Sequence, residues 1–280
     1  MIVYINRRFV SEEEAVVSVF DRAFLYGDAL FETIRIHEGR PFRWDQHLER
    51  FQRGAEHLRL RCPVRVEELR TAVTALVKRN GLSDGVLRLT LSRGVGKRGY
   101  SAIGADHPVV VMSVHPPSLP ASDGLPRWKL VASKIPIWSA DPLRALKTGN
   151  KLTEVLARTE AREQGADDAL LLNEHGEMAE STSANVFWIR NGKVHTPPLY
   201  SGALGGVTRT VVMGLCARMG ITCEETRAGP DTLHETDGVF VTLSSMGIAE
   251  ASHLDGRPLR ASPIAADLWK DYTRDLLGTD

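Results

Sequence analysis

Over the first 115 residues the hydrophobic positions switch repeatedly between the spacing of a strand and the spacing of a helix, which admits only mixed folds. The stretch MIVYINRRFV reads as the start of a hairpin. ALFETIRIHEGRPFRW reads as two strands around a turn at Glu38-Gly39. In WDQHLERFQRGAEHL, Leu48, Phe51, Ala55 and Leu58 fall on one helical face, and VEELRTAVTALVKRNGL is a second helix stopped at Gly81. GVLRLTLSRG and HPVVVMSVHPP are strands. The pattern is α+β.

Residues 116–126, PPSLPASDGLP, form the segment richest in Pro, Ser and Gly, and the spacing predicts a domain boundary near Ser122. This divides the chain into residues 1–121 and 122–280. The second half runs strand, turn, helix, and then strands that include ADDALLLNEHG and ANVFWIRNGKVHTPP. A helix from Val207 to Met219 and the strand GVFVTLSS follow. In ALKTGNKLTEVLARTEA the expectation is a helix capped by Asn150, with Leu152, Val155, Leu156 and Thr159 on its apolar face.

With 35 Lys plus Arg against 35 Asp plus Glu, nothing points to a nucleic-acid partner, although scattered arginines leave room for a local anion site. The cysteines are Cys62, Cys216 and Cys223, an odd number without a CxxC pair. A disulfide framework or a cysteine-based zinc site is not expected, and a reducing cytoplasm fits. The N-terminus lacks a signal-peptide core, and no apolar run is long enough for a membrane span.

Four features of the chain suggest chemistry. Gly205 and Gly206 precede a helix that opens with Val207, Thr208 and Arg209, and free amides at a helix start suit a phosphate. Hydroxyls gather at Thr242, Ser244 and Ser245, where an apolar strand ends. Glu180 stands among small polar residues, where it is either a solvated turn residue or the partner of a cation. Lys147 sits alone in a polar turn before a helix. Lysine, carboxylate, glycine-rich helix start and the remote Arg50 together suit pyridoxal 5'-phosphate, which needs an amine, an acid for its ring nitrogen and a phosphate cup.

With these residues in view, the chain resembles the class IV aminotransferases, the fold-type IV pyridoxal-phosphate enzymes. The likeness runs through DRAFLYGDALFETIRI, HLERF, SRGVGKRGYS, LKTGN, GADDALLLNEHGEMAESTSANVF and GALGGVTR, in order and over nearly the whole length. The resemblance implies a two-domain α+β fold, with a small N-terminal α/β domain and a larger C-terminal α/β-barrel-like, cofactor-binding domain. It implies Lys147 as the Schiff-base lysine, pointing into a cleft between the domains. Glu180 becomes the partner of the ring nitrogen. Arg50, the Val207 and Thr208 amides and the Ser244 hydroxyl hold the phosphate. Ser244 stands where a threonine is common.

SRGVGKRGYS is similar to the RGxGxRGYS signature of 4-amino-4-deoxychorismate lyases, and NKL, SSMG and Phe31 lean the same way. The segment GIAEAS lacks a proline usual near that point. The implied activity is release of pyruvate and 4-aminobenzoate. The alternative is an aminotransferase for D-amino or branched-chain amino acids with a 2-oxo acid acceptor. Arg93, Arg98, Tyr100, Phe31 and Ser245 are the implied substrate residues, with Arg93 or Arg98 on a substrate carboxylate. A homodimer is implied by the resemblance alone.

Overall fold

The computed structural model describes residues 1–117 and 124–278, so the expected boundary at Ser122 lies outside the described residues. Two compact units emerge: Met1–Ser118 with Leu146–Asn150, and Leu119–Ala145 with Lys151–Asp280.

The first unit is built from β1 (Ile2–Ile5), β2 (Arg8–Ser11), α1 (Arg22–Tyr26), β3 (Ala29–His37), β4 (Arg40–Pro41), α2 (Trp44–His57), α3 (Val66–Asn80), β5 (Gly85–Val95) and β6 (His107–His115). The strands form one sheet in the order β2-β1-β6-β5-β3-β4. The β3–β4 turn is closed by Glu38 and Gly39, both at positive φ (47° and 75°), the backbone of a tight hairpin. Strand alternation sorts the sheet into two faces. Leu30, Ile34, Ile36, Leu87, Leu89, Leu91, Val110, Met112 and Val114 point into a core closed by Trp44, Leu48, Phe51 and Ala55 of α2 and by Leu69, Val73, Leu76 and Val77 of α3. Leu58 packs against that core only partly buried. Gly81 stops α3 in the left-handed region at φ 64°.

Glu32 interrupts the apolar face of β3 and is fully buried. Its carboxylate accepts from Nε and Nη2 of Arg50 (2.8 and 2.7 Å) and lies 2.8 Å from Nδ1 of His47, both on α2. Burial alone would raise its pKa. The Arg50 charge and the His47 and Arg50 hydrogen bonds outweigh that and bring it down to about 2. Burial pushes His47 below its ordinary value against the pull of Glu32, which favours the neutral ring.

The second unit contains β7 (Arg127–Ala132), α4 (Leu152–Glu163), β8 (Asp168–Leu172), β9 (Met178–Ser181), β10 (Asn185–Arg190), β11 (Lys193–Thr196), α5 (Val207–Arg218), β12 (Cys223–Glu225), β13 (Gly238–Leu243), β14 (Gly247–Leu254), β15 (Arg257–Pro258) and α6 (Pro263–Leu277). Its sheet runs β12-β11-β10-β13-β14-β7-β8-β9, with β15 on β14. Parallel pairs β14–β7 and β7–β8 sit among antiparallel ones.

Helix α4 departs from expectation in two ways. It begins at Leu152 with Lys151 in the capping position, while the Asn150 side chain turns back to donate to the Gly27 carbonyl at 3.3 Å. The face expected to be buried is also reversed. Leu152 is 71% exposed, Val155 56% and Leu156 49%, whereas Ala157 and Ala161 are fully buried. Small residues let the helix lie close on Ala169, Leu171 and Ala179, and the larger ones are left outside.

The small polar run after Glu180 has a structural employment. Ser181 and Ser183 donate to the buried Asp168 at 3.0 and 2.9 Å, Thr182 donates to its other oxygen, and Arg158 pairs with it at 2.9 Å. Asp168→Ala removes the common acceptor of three hydroxyls and the counter-ion of Arg158. It is expected to cost roughly 2–4 kcal/mol in chemical denaturation, less than for a wholly buried pair because Arg158 is 31% exposed.

The Glu32 cluster makes a second prediction. Unfolded His47 takes up a proton near pH 6.5 that the folded protein resists, so stability falls as pH drops below that value. The Glu32 contribution is present above about 4.5 and is lost as pH falls toward 2. Denaturant midpoints measured from pH 8 to 3 are expected to decline in that order, and Glu32→Gln to flatten the part below pH 4.5.

Candidate active site

In the first unit, Lys147 is placed by backbone pairing. The Phe31 amide donates to the Lys147 carbonyl at 2.9 Å, Thr148 bridges Leu30, and the Gly149 amide donates to the Ala29 carbonyl at 2.8 Å. Lys147–Gly149 therefore runs antiparallel to β3, which explains why Leu146–Asn150 joins the first unit although it lies beyond residue 140. Gly149 suits this close approach, since a Cβ would sit 3.1 Å from the Gly27 carbonyl and the neighbouring backbone would have to give way slightly.

The half-buried Lys147 carries its Nζ 4.7 Å from the centre of the Phe31 ring. The Cζ of Arg88 lies 3.4 Å from the same ring centre. The register makes this possible. Phe31 faces Thr90, Thr33 faces Arg88, and Arg88 faces Ser113, so these residues share the sheet face away from the α2–α3 core. The Arg88 Nε donates to Thr90 at 3.4 Å, and among the described residues no carboxylate pairs with this guanidinium. Crowding by protein atoms lowers the Arg88 pKa to about 10, against a small upward pull from Glu32. Arg88 was not singled out in the sequence. In LRLTLS it looks like an ordinary outward strand residue.

The glycine-rich loop is clasped from below. Buried Arg22 donates to the carbonyls of Gly99, Tyr100 and Ser101 (3.0, 3.0 and 3.1 Å) and pairs with Asp28 at 2.8 Å. Arg93 also pairs with Asp28, at 2.7 Å, and caps the end of α2 through the Leu58 and Arg59 carbonyls. Its guanidinium is thus spent on structure, and a substrate carboxylate would have to displace these partners. Arg98 is exposed and makes no ion pair among the described residues, and Tyr100 is 88% exposed, its ring 5.5 Å from that of Tyr26.

In the second unit, Glu180 lies on β9, opposite Leu171 of β8. Its Oε2 accepts the Leu204 amide at 3.0 Å and its Oε1 pairs with Arg144 at 2.8 Å. The same loop is tied back by Asn185, whose side chain donates to the Leu204 carbonyl at 2.8 Å.

Helix α5 starts at Val207 with Gly206 in the capping position, no side-chain cap and no acidic residue in its first turn. A Cβ on Gly206 would run into Oδ1 of Asn185, so the close turn needs glycine. The Thr208 and Ser244 hydroxyls stand 3.4 Å apart, and the buried Thr242 hydroxyl has no partner among the described residues. Ser245 is half-buried beside them. Uncapped amides, a helix dipole and clustered hydroxyls make a cup whose chemistry fits a phosphate. This cup and the fixed Glu180 carboxylate in the second unit, and the Lys147 amine in the first, are each of a kind that pyridoxal 5'-phosphate requires.

Comparison with known proteins agrees. The family model described as Amino-transferase class IV matches residues 29–254. A Methanocaldococcus jannaschii protein provisionally named branched-chain-amino-acid aminotransferase is 35% identical, over 94% of this chain and 91% of its own length. The aminodeoxychorismate lyase of Bacillus subtilis is 32% identical, over 88% of this chain and 84% of its own. A solved branched-chain amino acid aminotransferase from T.th., complexed with N-(5'-phosphopyridoxyl)-L-glutamate, superposes with a TM-score of 0.92 at 30% identity, covering 100% of this chain and 95% of that one. The chain belongs to the class IV aminotransferase family and is a pyridoxal-phosphate-dependent enzyme of fold type IV.

Proposed function

We propose that this enzyme is a 4-amino-4-deoxychorismate lyase, releasing pyruvate and 4-aminobenzoate. The observation that carries the reading is the crowded Arg88 guanidinium, which has no carboxylate partner among the described residues, with Arg98 as a second cation that makes no ion pair among them. Arg88 stacks on the ring that also receives Lys147, and Arg98 lies in the clasped loop. A substrate with two carboxylates meets a guanidinium for each, and Arg grips a carboxylate through paired hydrogen bonds. Where the sequence pointed to Arg93 or Arg98 for a substrate carboxylate, this reading keeps Arg98 and sets Arg88 in place of Arg93. Tyr100 and Phe31 shape the pocket wall and Ser245 offers a hydroxyl to the substrate.

In this reading Arg50, the Val207 and Thr208 amides and the Ser244 hydroxyl hold the phosphate, Glu180 faces the ring nitrogen, and Lys147 carries the cofactor. When bound, pyridoxal phosphate supplies a protonated ring that accepts the electrons left on the amine-bearing carbon. With the cofactor held there, Lys147 Nζ would be the base that takes the proton from the amine-bearing carbon of the substrate. The same amine, once protonated, would be the acid for the departing enolpyruvate in the lyase reaction. The second reading is an aminotransferase, favoured by the higher identity to the Methanocaldococcus jannaschii protein. The same residues serve both, because the branch comes after the proton is removed.

The enzyme works as a homodimer in this proposal. Val16, Val19, Phe20 and Phe24 in the first unit are between 64% and 73% exposed, and the outward face of α4 adds Leu152, Val155 and Leu156 in the second. Apolar surface of this kind suits a partner subunit. No described helix is long and apolar enough to cross a membrane. The three cysteines are free thiols, in keeping with a proposed cytoplasmic location.

The deciding experiment compares 4-aminobenzoate release from aminodeoxychorismate with amino transfer from D- and L-amino acids to 2-oxoglutarate. Release at least a hundredfold more efficient than any transfer is expected, with Lys147→Ala abolishing both. Dominant transfer would replace the lyase reading with the aminotransferase one. In the same assays Arg88→Met should raise KM for a carboxylate substrate by roughly 10- to 100-fold, the equivalent of one charge-assisted contact of about 1.5–3 kcal/mol. Arg93→Met should act mainly on stability. The reverse pattern would return the carboxylate to Arg93.

A further inference from the structure

Arg144 lies in the short 3-10 turn Pro142–Ala145 of the second unit, and its guanidinium joins two carboxylates. Nη2 meets Oε1 of Glu180 at 2.8 Å and Nη1 meets Oε1 of Glu154 at 2.9 Å, while Nε donates to the Gly202 carbonyl at 3.1 Å. Glu154, on α4, also receives Lys151 at 3.0 Å. Arg144, Glu180 and Glu154 are all close to nine-tenths buried. The result is a row of alternating charges, Lys151, Glu154, Arg144 and Glu180, that ends on the carboxylate assigned to the cofactor ring. Burial would raise the Glu154 pKa, but Lys151 and Arg144 outweigh it and hold it below its ordinary value.

A proton shared between a ring nitrogen and a carboxylate settles on the more basic of the two. A cation at hydrogen-bond distance from the carboxylate favours its ionised form, and the effect is stronger where water is scarce. We propose that Arg144 is a positioning residue that keeps Glu180 ionised and aimed, so that the proton stays on the ring nitrogen of the bound cofactor. Glu154 balances the Arg144 charge and fixes its direction, and the Leu204 amide fixes the second oxygen of Glu180. The inference rests on the reading of Glu180 as the ring-nitrogen partner. It adds to that reading the group that governs Glu180.

A purely structural role is the competing account, in which Arg144 only staples its turn to α4 and β9. Two substitutions separate them. Arg144→Met removes the cation from Glu180. Glu154→Leu cuts the same staple from its other end and leaves the cation in place. The holoenzyme is prepared with pyridoxal phosphate labelled with 15N at the ring nitrogen, whose NMR shift reports protonation directly. Arg144→Met is expected to lower the ratio of protonated to unprotonated ring nitrogen by about 10- to 100-fold, as for the loss of one charge-assisted hydrogen bond. Glu154→Leu is expected to keep the protonated signal, and Arg144→Lys to lie between, which covers the case of a methionine variant that does not fold. An unmoved signal in the Arg144 variants, or equal shifts for Arg144→Met and Glu154→Leu, overturns the proposal. Glu180→Gln is the control. If its signal moves and that of Arg144→Met does not, this inference alone falls. If the Glu180→Gln signal is itself unmoved, the ring-partner reading falls and this inference with it.

Discussion

The pairing of Lys147–Gly149 with Ala29–Phe31 is the contact on which the placement of Lys147 in the first unit depends. Three residues from beyond position 140 are held against β3 by backbone hydrogen bonds, and the register of that pairing puts the Lys147 amine over Phe31. A backbone ladder is well suited to this task. It fixes direction and register through main-chain atoms alone, without using the lysine side chain. A slip of one residue would turn the amine to the opposite face, where α2 closes the core.

The charges divide by the same logic. A buried ion is tolerated when it is paired and hydrogen-bonded, and most of those here are. Glu32 is met by His47 and Arg50, Asp28 by Arg22 and Arg93, Asp168 by Arg158 and three hydroxyls, and Glu180 by Arg144 and an amide. These clusters stiffen the surroundings of Lys147, the loop through Tyr100 and the carboxylate at Glu180. Against that background Arg88 differs. It is crowded by protein, stacked on an aromatic ring and lacks a carboxylate partner among the described residues. That is the ground on which a substrate anion is proposed for it.

Much of the first unit was legible in the sequence, because its helices and strands each carry a clear period. Leu48, Phe51 and Ala55 entered the core as the helical spacing required, and Gly81 ended α3 in the left-handed region. The second unit was less legible. Helix α4 hides alanines and exposes leucine and valine, the reverse of the usual hydrophobic rule. Strand β14 and helix α6 were not anticipated. GIAEASHL alternates weakly because Gly247–Ala251 are all buried, as expected of a strand covered on both faces.

Residue types that chemistry requires are visible in a chain read alone: a lysine in a polar turn, a glycine pair before a helix, a carboxylate among small residues, and their order along the family's pattern. The sequence by itself therefore determined the fold class, the family and the cofactor. What it left open was which charges are already spent. Arg22, Arg88, Arg93 and Arg144 are the same letter, and nothing local marks one as a loop clasp, one as stacked on an aromatic ring, one as a helix cap and one as the partner of Glu180. Tertiary structure decided this, because a guanidinium's role is set by which oxygens the fold brings within about 3 Å of it, and those oxygens come from distant parts of the chain.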